Sequence, residues 1–231
     1  MDMPFAPYYE QDGIVIYNAD CRQVLPFLPK FDLLLTDPPY GIGESSKKQK
    51  TRGGFTKFKD GSSTGRSTFI AAKDYGENDW DREPPERWVL LSAQAAARTQ
   101  ILWGGNYYGL PASSCWLVWD KDNTGDFADC ELAWTNMARA VRKFKWRWNG
   151  MLQENMGDKK EGRSHPTQKP LALMRWCLSL VPDAQTILDP FAGSCTTGVA
   201  AKLEGRKAVL IEINEKYCEI GANRLSQGVL F

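Results

Sequence analysis

The sequence contains a single histidine, His165, no CxxC cysteine pair and no apolar run that approaches the length of a membrane span. Zinc sites are built from clustered cysteine and histidine, so these counts predict no metal site. The six cysteines are scattered, which favours reduced thiols in a cytoplasmic protein that does not enter a membrane. No signal-peptide pattern opens the chain. With 231 residues, 42% hydrophobic and 25% charged, we expect one domain over residues 1–231.

An excess of charge of one sign is also missing, because the net charge is only +1. Basic residues are nevertheless concentrated in two segments. Seven basic residues and one acid lie in 47–66, and five basic residues and no acid lie in 139–147. A local basic stripe is what a phosphate backbone requires. In the second segment Phe144, Trp146 and Trp148 alternate with the charges, a pattern that fits equally a nucleic-acid surface and a strand with one buried face.

Apolar runs and helical periods alternate along the chain, which predicts an α/β fold: a mixed, mostly parallel sheet with helices on both faces. The polar, glycine-rich stretch 43–82 has no sustained period and is predicted to be a mobile basic loop insertion. Strands are predicted at 13–17, 31–36, 101–106, 115–121, 131–136, 140–148, 186–190 and 207–213. Helices are predicted at 22–28, 86–100, 171–181, 196–205 and 214–225.

The segment "ILDPFAGSCTTGVAAKL" places a turn between a buried strand and a helix. Its spacing, Gly193-x-Cys195-x-x-Gly198, is one residue short of the dinucleotide fingerprint, and Glu212 follows nineteen residues after Gly193. An acid at that distance is placed to hold ribose hydroxyls, although a packing turn with a chance acid downstream is the alternative. Cys195 stands where dinucleotide enzymes need glycine for a pyrophosphate, which favours a nucleoside cofactor such as S-adenosylmethionine (SAM).

Four blocks follow one another in the chain: "TDPPYG", "RKFKWRWNG", "HPTQKPLALM" and "DPFAGSCTTG". In content and order they resemble the β-class of SAM-dependent DNA amino-methyltransferases, in which the DPPY motif comes first and the cofactor loop last. The stretches "ILWGGNYY" and "ELAWTN" also resemble that family's middle strands. The resemblance implies a Rossmann-like SAM-methyltransferase fold with a permuted motif order, SAM as cofactor and a target-recognition segment at 136–165. Cys195 departs from the family, which usually has glycine there.

The DPPY block has a chemical rationale of its own. An exocyclic base amine is a poor nucleophile, because its lone pair is delocalised into the ring. Acceptors for its two protons free that pair, and the Asp37 carboxylate and the Pro38 carbonyl can serve as the two acceptors. Proline has a fixed φ and no N–H, so Pro38 and Pro39 aim the carbonyl rigidly. Tyr40 offers a ring on which a flipped base can stack. These four residues, Asp37, Pro38, Pro39 and Tyr40, are the predicted catalytic group.

Position and resemblance together assign the cofactor site. Asp20 lies in a segment that resembles the family's adenine-binding segment, Asp189 is assigned to the methionine amine, Phe191 to packing on the cofactor and Lys169 to its carboxylate. His165 is interpreted as structural, because transfer of a methyl group from a sulfonium needs no imidazole. The predicted cofactor-binding residues are Asp20, Cys21, Asp37, Lys169, Asp189, Phe191, Ala192, Gly193, Ser194, Thr196, Thr197, Glu212 and Ile213.

The basic segments supply the predicted nucleic-acid contacts. The loop segment is expected to contact phosphates, and the second segment is expected to lie nearer the bases. The predicted residues are Lys47, Lys48, Lys50, Arg52, Arg142, Lys143, Lys145 and Arg147.

The function expected from this resemblance is site-specific methylation of adenine N6 in double-stranded DNA. An acid at the first position of the DPPY motif favours adenine, since cytosine-N4 members more often carry serine there. The alternatives are a cytosine-N4 DNA or RNA methyltransferase and a catalytically silent nucleic-acid-binding relative. A nicotinamide dehydrogenase is disfavoured by Cys195. A homodimer and a separate restriction endonuclease are conceivable partners, since 231 residues leave no room for a nuclease region.

Overall fold

The computed structural model describes residues 3–42, 83–122, 128–149, 152–155, 161–162 and 168–227. These residues form eleven strands and five α-helices. The strands are β1 Tyr9–Gln11, β2 Ile14–Asn18, β3 Phe31–Thr36, β4 Ala97–Trp103, β5 Trp116–Asp120, β6 Cys130–Thr135, β7 Arg142–Lys145, β8 Trp148–Asn149, β9 Leu152–Gln153, β10 Thr186–Asp189 and β11 Lys207–Glu212. The helices are α1 Cys21–Val24, α2 Arg87–Ala95, α3 Leu171–Ser179, α4 Thr196–Leu203 and α5 Glu215–Ser226.

Nine of the described strands form one sheet, in the order β1-β2-β11-β10-β3-β4-β6-β5-β7. The five strands β2, β11, β10, β3 and β4 are parallel, with Leu33 beside Ile187 and Leu34 beside Gln100. β1 and β6 are antiparallel to their neighbours, and β7 runs parallel to β5 at the edge. The strand that leads into the DPPY motif therefore lies next to the strand that leads into the glycine loop, although 153 residues separate Thr36 from Asp189.

Successive residues of a strand point to opposite faces, and each face has its own core. Leu33 and Leu35 face the core beneath α3, α4 and α5, whereas Leu34 faces the core beneath α1 and α2. All three leucines are fully buried. The run of consecutive apolar residues in β3 is thus explained by burial on both sides, as parallel sheets require. The predicted α/β fold is confirmed.

Some element boundaries differ from the sequence prediction. The helix predicted over 86–100 ends at Ala95, and β4 begins at Ala97. The alanine-rich run favours helix locally, but Ala97, Thr99 and Gln100 pair with β3, and a central strand needs a partner on each side. The strand predicted over 140–148 is also interrupted, because β7 ends at Lys145 and β8 begins at Trp148.

Several predictions fall outside the described residues. They are the loop 43–82 with Lys47, Lys48, Lys50 and Arg52, and also His165. Within the described ranges no helix is long and apolar enough to cross a membrane. The same part of the chain has no group of three or more His, Cys, Asp or Glu side chains placed to hold a metal ion.

Candidate active site at the carboxyl edge of the sheet

The candidate site lies where the connections of the sheet diverge. From β3 the chain crosses through α2 to β4 on one side, and from β10 it crosses through α4 to β11 on the other. α2 and α4 lie on opposite faces of the sheet. Open α/β sheets bind ligands at the carboxyl ends of the strands at such a switch point. Asp37 follows β3 and Asp189 ends β10, so two predicted site residues lie on the two sides of this point.

Asp37 is held by two donors. The Tyr40 hydroxyl donates to Oδ1 at 2.5 Å, and the Lys169 ammonium donates to Oδ2 at 2.5 Å. Lys169 also donates to the Tyr40 oxygen at 3.1 Å and lies 3.1 Å from Oε2 of Glu131. Burial raises the pKa of Asp37, and the positive charge of Lys169 opposes that rise. The carboxylate is therefore an oriented acceptor in a nearly closed environment.

The Lys169 ammonium thus donates two hydrogen bonds, to Asp37 and Tyr40, and forms an ion pair with Glu131. The sequence assigned Lys169 to the cofactor carboxylate, whereas the structure places its ammonium on Asp37, Tyr40 and Glu131. The Lys169 side chain is 5% exposed. Burial lowers the pKa of a lysine, but the two carboxylates outweigh it, so the pKa of Lys169 lies above its ordinary value.

Tyr40 is fixed by aromatic and backbone neighbours. Tyr107 stacks on it with ring centroids 4.9 Å apart and planes 16° apart, and Tyr108 meets its edge at 6.4 Å. Gly104 has φ +69°, and a Cβ there would lie 2.1 Å from Cε1 of Tyr40, so only glycine permits this approach. The Tyr108 hydroxyl donates to the Pro38 carbonyl at 2.8 Å. That carbonyl keeps a second lone pair for another donor.

Glu212 closes the glycine loop. Its Oε2 accepts the Gly193 N–H at 2.8 Å, and its Oε1 accepts the Asn214 N–H at 2.8 Å. Burial raises the pKa of Glu212, and these two backbone donors counter the rise. The four lone pairs of the carboxylate exceed its backbone donors Gly193, Ile213 and Asn214, so it keeps acceptor capacity. Next to it Ile213 is 65% exposed, which is high for isoleucine, and Phe191 is half-buried. The mouth of the loop thus combines a carboxylate with apolar side chains.

Other loop residues face the interior. Cys195 has φ +61° and is fully buried, and a Cβ at Gly221 would lie 2.4 Å from its Sγ. The cysteine side chain therefore packs against α5, away from the loop mouth. The Cys195 side chain thus does not crowd the loop mouth and does not discriminate against a pyrophosphate, contrary to the expectation from the sequence.

The polar loop residues are satisfied within the protein. Asp189 is 3% exposed, and its Oδ1 accepts the Thr36 hydroxyl at 2.7 Å and the Phe191 N–H at 3.1 Å. Burial raises its pKa to about 6. Ser194 and Thr196 both accept from Arg224, and Thr197 bonds to Asp189. These hydrogen bonds hold the loop on its buried side.

Asp20 and Cys21 lie at the end of β2. Asp20 caps α1 by accepting the Arg22 N–H at 2.9 Å, and its carboxylate also pairs with the Arg22 guanidinium, which lowers its pKa. Cys21 is buried in the core beneath α1 and α2, and burial raises the pKa of its thiol to about 12. Ala192, at the start of the loop, donates its N–H to the Ile211 carbonyl at 3.0 Å.

In the edge strand β7 the aromatic residue is half-buried and the basic residues are exposed. Phe144 stacks on Trp146 and on Trp176 of α3, at centroid distances of 5.8 and 5.1 Å. Trp148 is buried. The alternation is therefore that of a strand with one buried face, and the aromatics do not interleave with the charges on the surface. The predicted basic residues Arg142, Lys143, Lys145 and Arg147 are all exposed.

Three of these basic residues already have acidic partners. Lys143 pairs with Asp120 at 3.3 Å, Lys145 pairs with Asp122 at 2.7 Å, and Arg147 also pairs with Asp122. DNA would have to compete with these two carboxylates.

Sequence reasoning missed four functional candidates: Tyr108, Glu131, Glu161 and Arg224. Glu131 carried one signal, since it is a charged residue at the start of an otherwise apolar strand, "ELAWT". The others have none, because their partners lie far away in the chain. Glu161 bonds to Arg224 and to the Leu171 N–H, 63 and 10 residues away.

A mostly parallel sheet with a glycine loop, an acid after the next strand and an oriented carboxylate at the switch point are the features expected of the Rossmann-like class of SAM-dependent methyltransferases. Residues 119–223 match the profile of a family described as DNA methylase. Over 97% of its length the chain is 24% identical to the type II methyltransferase M2.LlaDCHI of Lactococcus lactis subsp. cremoris, 94% of which is covered. These similarities support the DNA amino-methyltransferase family, which the motif order predicted.

Two further similarities are informative. A stretch of 66 residues, 28% of this chain and 22% of the relative, is 50% identical to the DNA adenine methyltransferase YhdJ of Escherichia coli (strain K12). The crystal structure of an M1.HpyAVI–SAM complex superimposes with a TM-score of 0.53 at 19% identity, covering 92% of this chain and 98% of that one. The first similarity extends the family relationship to an adenine enzyme, and the second confirms the fold.

Proposed function

We propose that the protein methylates N6 of adenine at a specific sequence in double-stranded DNA, with SAM as the methyl donor. The observation that carries the proposal is the placement of the Asp37 carboxylate and the Pro38 carbonyl beside the Tyr40 ring at the switch point of the sheet. An acid at the first position of the motif favours adenine over cytosine. The 66-residue similarity to an adenine methyltransferase supports the same base.

The loop mouth fits a nucleoside cofactor. Glu212 keeps acceptor capacity for ribose hydroxyls, and Ile213 and Phe191 offer apolar surface for an adenine ring. Asp20 is a further carboxylate at this end of the sheet, and the Gly193 backbone lines the turn. SAM, when bound there, supplies a methyl group made electrophilic by its sulfonium.

The residues of the chain act on the target amine. Asp37 accepts one N–H of the amine and the Pro38 carbonyl accepts the other, which localises the lone pair on the nitrogen. Tyr40, braced by Tyr107, contacts the ring of a base that has left the duplex. After the methyl group is transferred, the amine nitrogen carries a positive charge beside the Asp37 carboxylate, which stabilises it and can take up the proton that leaves.

The DNA surface is proposed to include the basic side chains of β7 and the segment 43–82, with 136–165 as the target-recognition segment. DNA as substrate follows from the family. The cytoplasmic location, a homodimer and a separate endonuclease are parts of the proposal that rest on the sequence. Six free thiols support a reducing compartment.

The test is incubation of the protein with labelled SAM and duplex DNA, followed by digestion to nucleosides. We expect N6-methyladenine, and no label in RNA or in the Asp37→Asn variant. Label in N4-methylcytosine would transfer the assignment to the other base. Absence of label in every nucleic acid, with SAM binding intact, would support the silent relative.

A further inference from the structure

A row of four charges extends from the active site to the ends of β5 and β6. Asp37 pairs with Lys169, Lys169 lies 3.1 Å from Glu131, and Glu131 pairs with Lys121 on its far side. The charges alternate in sign and sum to zero. Glu131 belongs to β6 and Lys121 follows β5, so antiparallel neighbours hold the far end of the row. Lys121 also lies 5.0 Å from the ring centroid of Trp119.

Burial of these charges lowers the stability of the folded protein, so a functional reason for them is expected. Lys169 has a 5% exposed side chain, and one wall of its surroundings is the Tyr40 ring, 5.4 Å from the ammonium. Removing an ammonium and two carboxylates from water costs several kcal/mol per ion, and apolar residues of similar volume often serve stability as well or better. The ammonium donates hydrogen bonds to Asp37 and Tyr40 and forms an ion pair with Glu131. Both of its hydrogen-bond acceptors belong to the DPPY motif.

We propose that Lys169 and Glu131 are positioning residues for the amine-accepting carboxylate: Lys169 holds Asp37 oriented and ionised, and Glu131 holds Lys169 in place. The inference rests on the proposed function. It extends that function to two side chains outside the DPPY motif, and it gives the buried lysine a role that differs from cofactor binding. Ionised Asp37 offers only acceptors to the target amine, whereas protonated Asp37 would carry an O–H donor on one oxygen.

The charges around Asp37 predict opposite effects for the two residues. Burial raises the pKa of Asp37, Lys169 lowers it, and Glu131 raises it again. Tyr40, which follows β3, and Asp189, which ends β10, also face it, and Tyr108 from the turn after β4 faces Tyr40. Loss of the lysine charge should therefore move the pKa of Asp37 upward, and loss of the Glu131 charge should move it downward.

The experiment measures the pH dependence of kcat for methylation of duplex DNA by three variants. The acid limb is the part of the profile in which kcat rises with pH as Asp37 loses its proton. In Lys169→Met this limb should move to higher pH by about one unit or more, because the lysine charge no longer opposes the effect of burial on Asp37, and the maximal kcat should be lower. In Glu131→Gln the limb should move down by a few tenths of a unit or more. Arg175→Met is the charge control, because this arginine pairs with Glu204 at the surface, and its limb should stay in place. A purely structural role would lower both plateaus without moving the limbs in opposite directions.

A second measurement does not depend on activity. The carboxyl ¹³C resonance of Asp37, assigned by its loss in Asp37→Asn, can be titrated in the parental protein and in Glu131→Gln, which keeps the size of the side chain. The proposal would be overturned if the acid limbs of Lys169→Met and Glu131→Gln moved in the same direction or both stayed in place. It would also be overturned if the pKa of the Asp37 resonance did not fall in Glu131→Gln. A parental protein without activity on DNA would refute the proposed function alone, because the carboxyl titration would still report on the pair. If Lys169→Met does not fold, Lys169→Arg replaces it, because this variant keeps the positive charge. The pKa of the Asp37 resonance should then change less in Lys169→Arg than in Glu131→Gln, and an equally large change would also overturn the proposal.

Discussion

The Thr36 hydroxyl donates a hydrogen bond of 2.7 Å to the carboxylate of Asp189, and this bond joins the two halves of the candidate site. Thr36 is the last residue of β3, directly before Asp37, and Asp189 is the last residue of β10, directly before the glycine loop. Both side chains are buried. The amine-binding motif and the cofactor loop are thus held at a constant separation by a bond that neither segment could form alone.

The buried Asp189 predicts a measurable pH dependence of stability. Its pKa is raised from 3.8 to about 6, so the folded protein binds this proton more tightly than the unfolded chain. Stability should therefore fall as the pH rises from 3.8 through about 6, by at most about 3 kcal/mol for this group. Asp189→Asn should remove the effect. We expect the free energy of unfolding of the variant, relative to the parental protein, to increase between pH 4 and pH 7 in urea titrations.

Asp32 offers a control of opposite sign. Its carboxylate accepts the backbone N–H groups of Gln185 and Thr186, which lowers its pKa. Asp32→Asn should therefore lose stability relative to the parental protein as the pH rises. Equal pH dependence in the two variants would show that Asp189 does not titrate as described.

Asp37→Ala should separate chemistry from cofactor binding. The carboxylate contacts Tyr40 and Lys169 and faces the target amine, so its loss should slow methyl transfer by about 10²- to 10⁴-fold. SAM affinity should stay within about tenfold, or 1.4 kcal/mol. Single-turnover rates and calorimetric titration with SAM measure the two effects. A variant that keeps a quarter of the parental rate would remove Asp37 from the mechanism.

Glu212→Ala and Tyr40→Ala should affect different ligands. Glu212 holds the Gly193 N–H and faces the predicted ribose position, so its loss should weaken SAM binding by about 1.5–3 kcal/mol. Tyr40→Ala should leave SAM binding nearly unchanged and weaken the stacking of a flipped base by about 1–3 kcal/mol. The fluorescence of 2-aminopurine at the target position reports flipping. Stronger damage to SAM binding by Tyr40→Ala would contradict this division.

Arg224→Met should loosen the cofactor loop from behind. The guanidinium donates to the Ser194 carbonyl at 2.6 Å and to the Thr196 hydroxyl at 3.0 Å, and it pairs with Glu161 at 3.3 Å. Breaking a largely buried pair typically costs about 3–5 kcal/mol of stability. We expect a lower melting temperature and at least about tenfold weaker SAM binding, or 1.4 kcal/mol. Lys216→Met, an exposed change on the same helix, should alter neither.

The basic segments should differ in their salt dependence. Each neutralised phosphate contributes about −0.9 to the slope of log affinity against log salt. Replacing Lys47, Lys48 and Lys50 together should flatten the slope by more than replacing Lys143 and Lys145, because Asp120 and Asp122 already pair with the latter two. Salt titrations on cognate and scrambled duplexes compare them. An unchanged slope in the triple variant would exclude 43–82 from phosphate contact.

The sequence alone determined the class of fold and the identity of the two motifs. Strand β3 could be predicted because three consecutive leucines before an acid and two prolines are a local pattern. The glycine loop and Glu212 could be predicted for the same reason, since a strand, a turn and a helix of fixed lengths set their separation. The order of these blocks was sufficient to indicate the family.

Tertiary structure decided what surrounds those motifs. Lys169 contacts Asp37 although 132 residues separate them in the chain. No sequence pattern predicts whether a buried ammonium will face one carboxylate, another carboxylate or a cofactor. Helix α2 ends at Ala95 because β3 requires a parallel neighbour, a demand that overrides the helix propensity of alanine. Cys195 points into the core because Gly221 leaves room for it there. Side-chain direction and long-range pairing depend on how the elements pack, and local sequence does not contain that information.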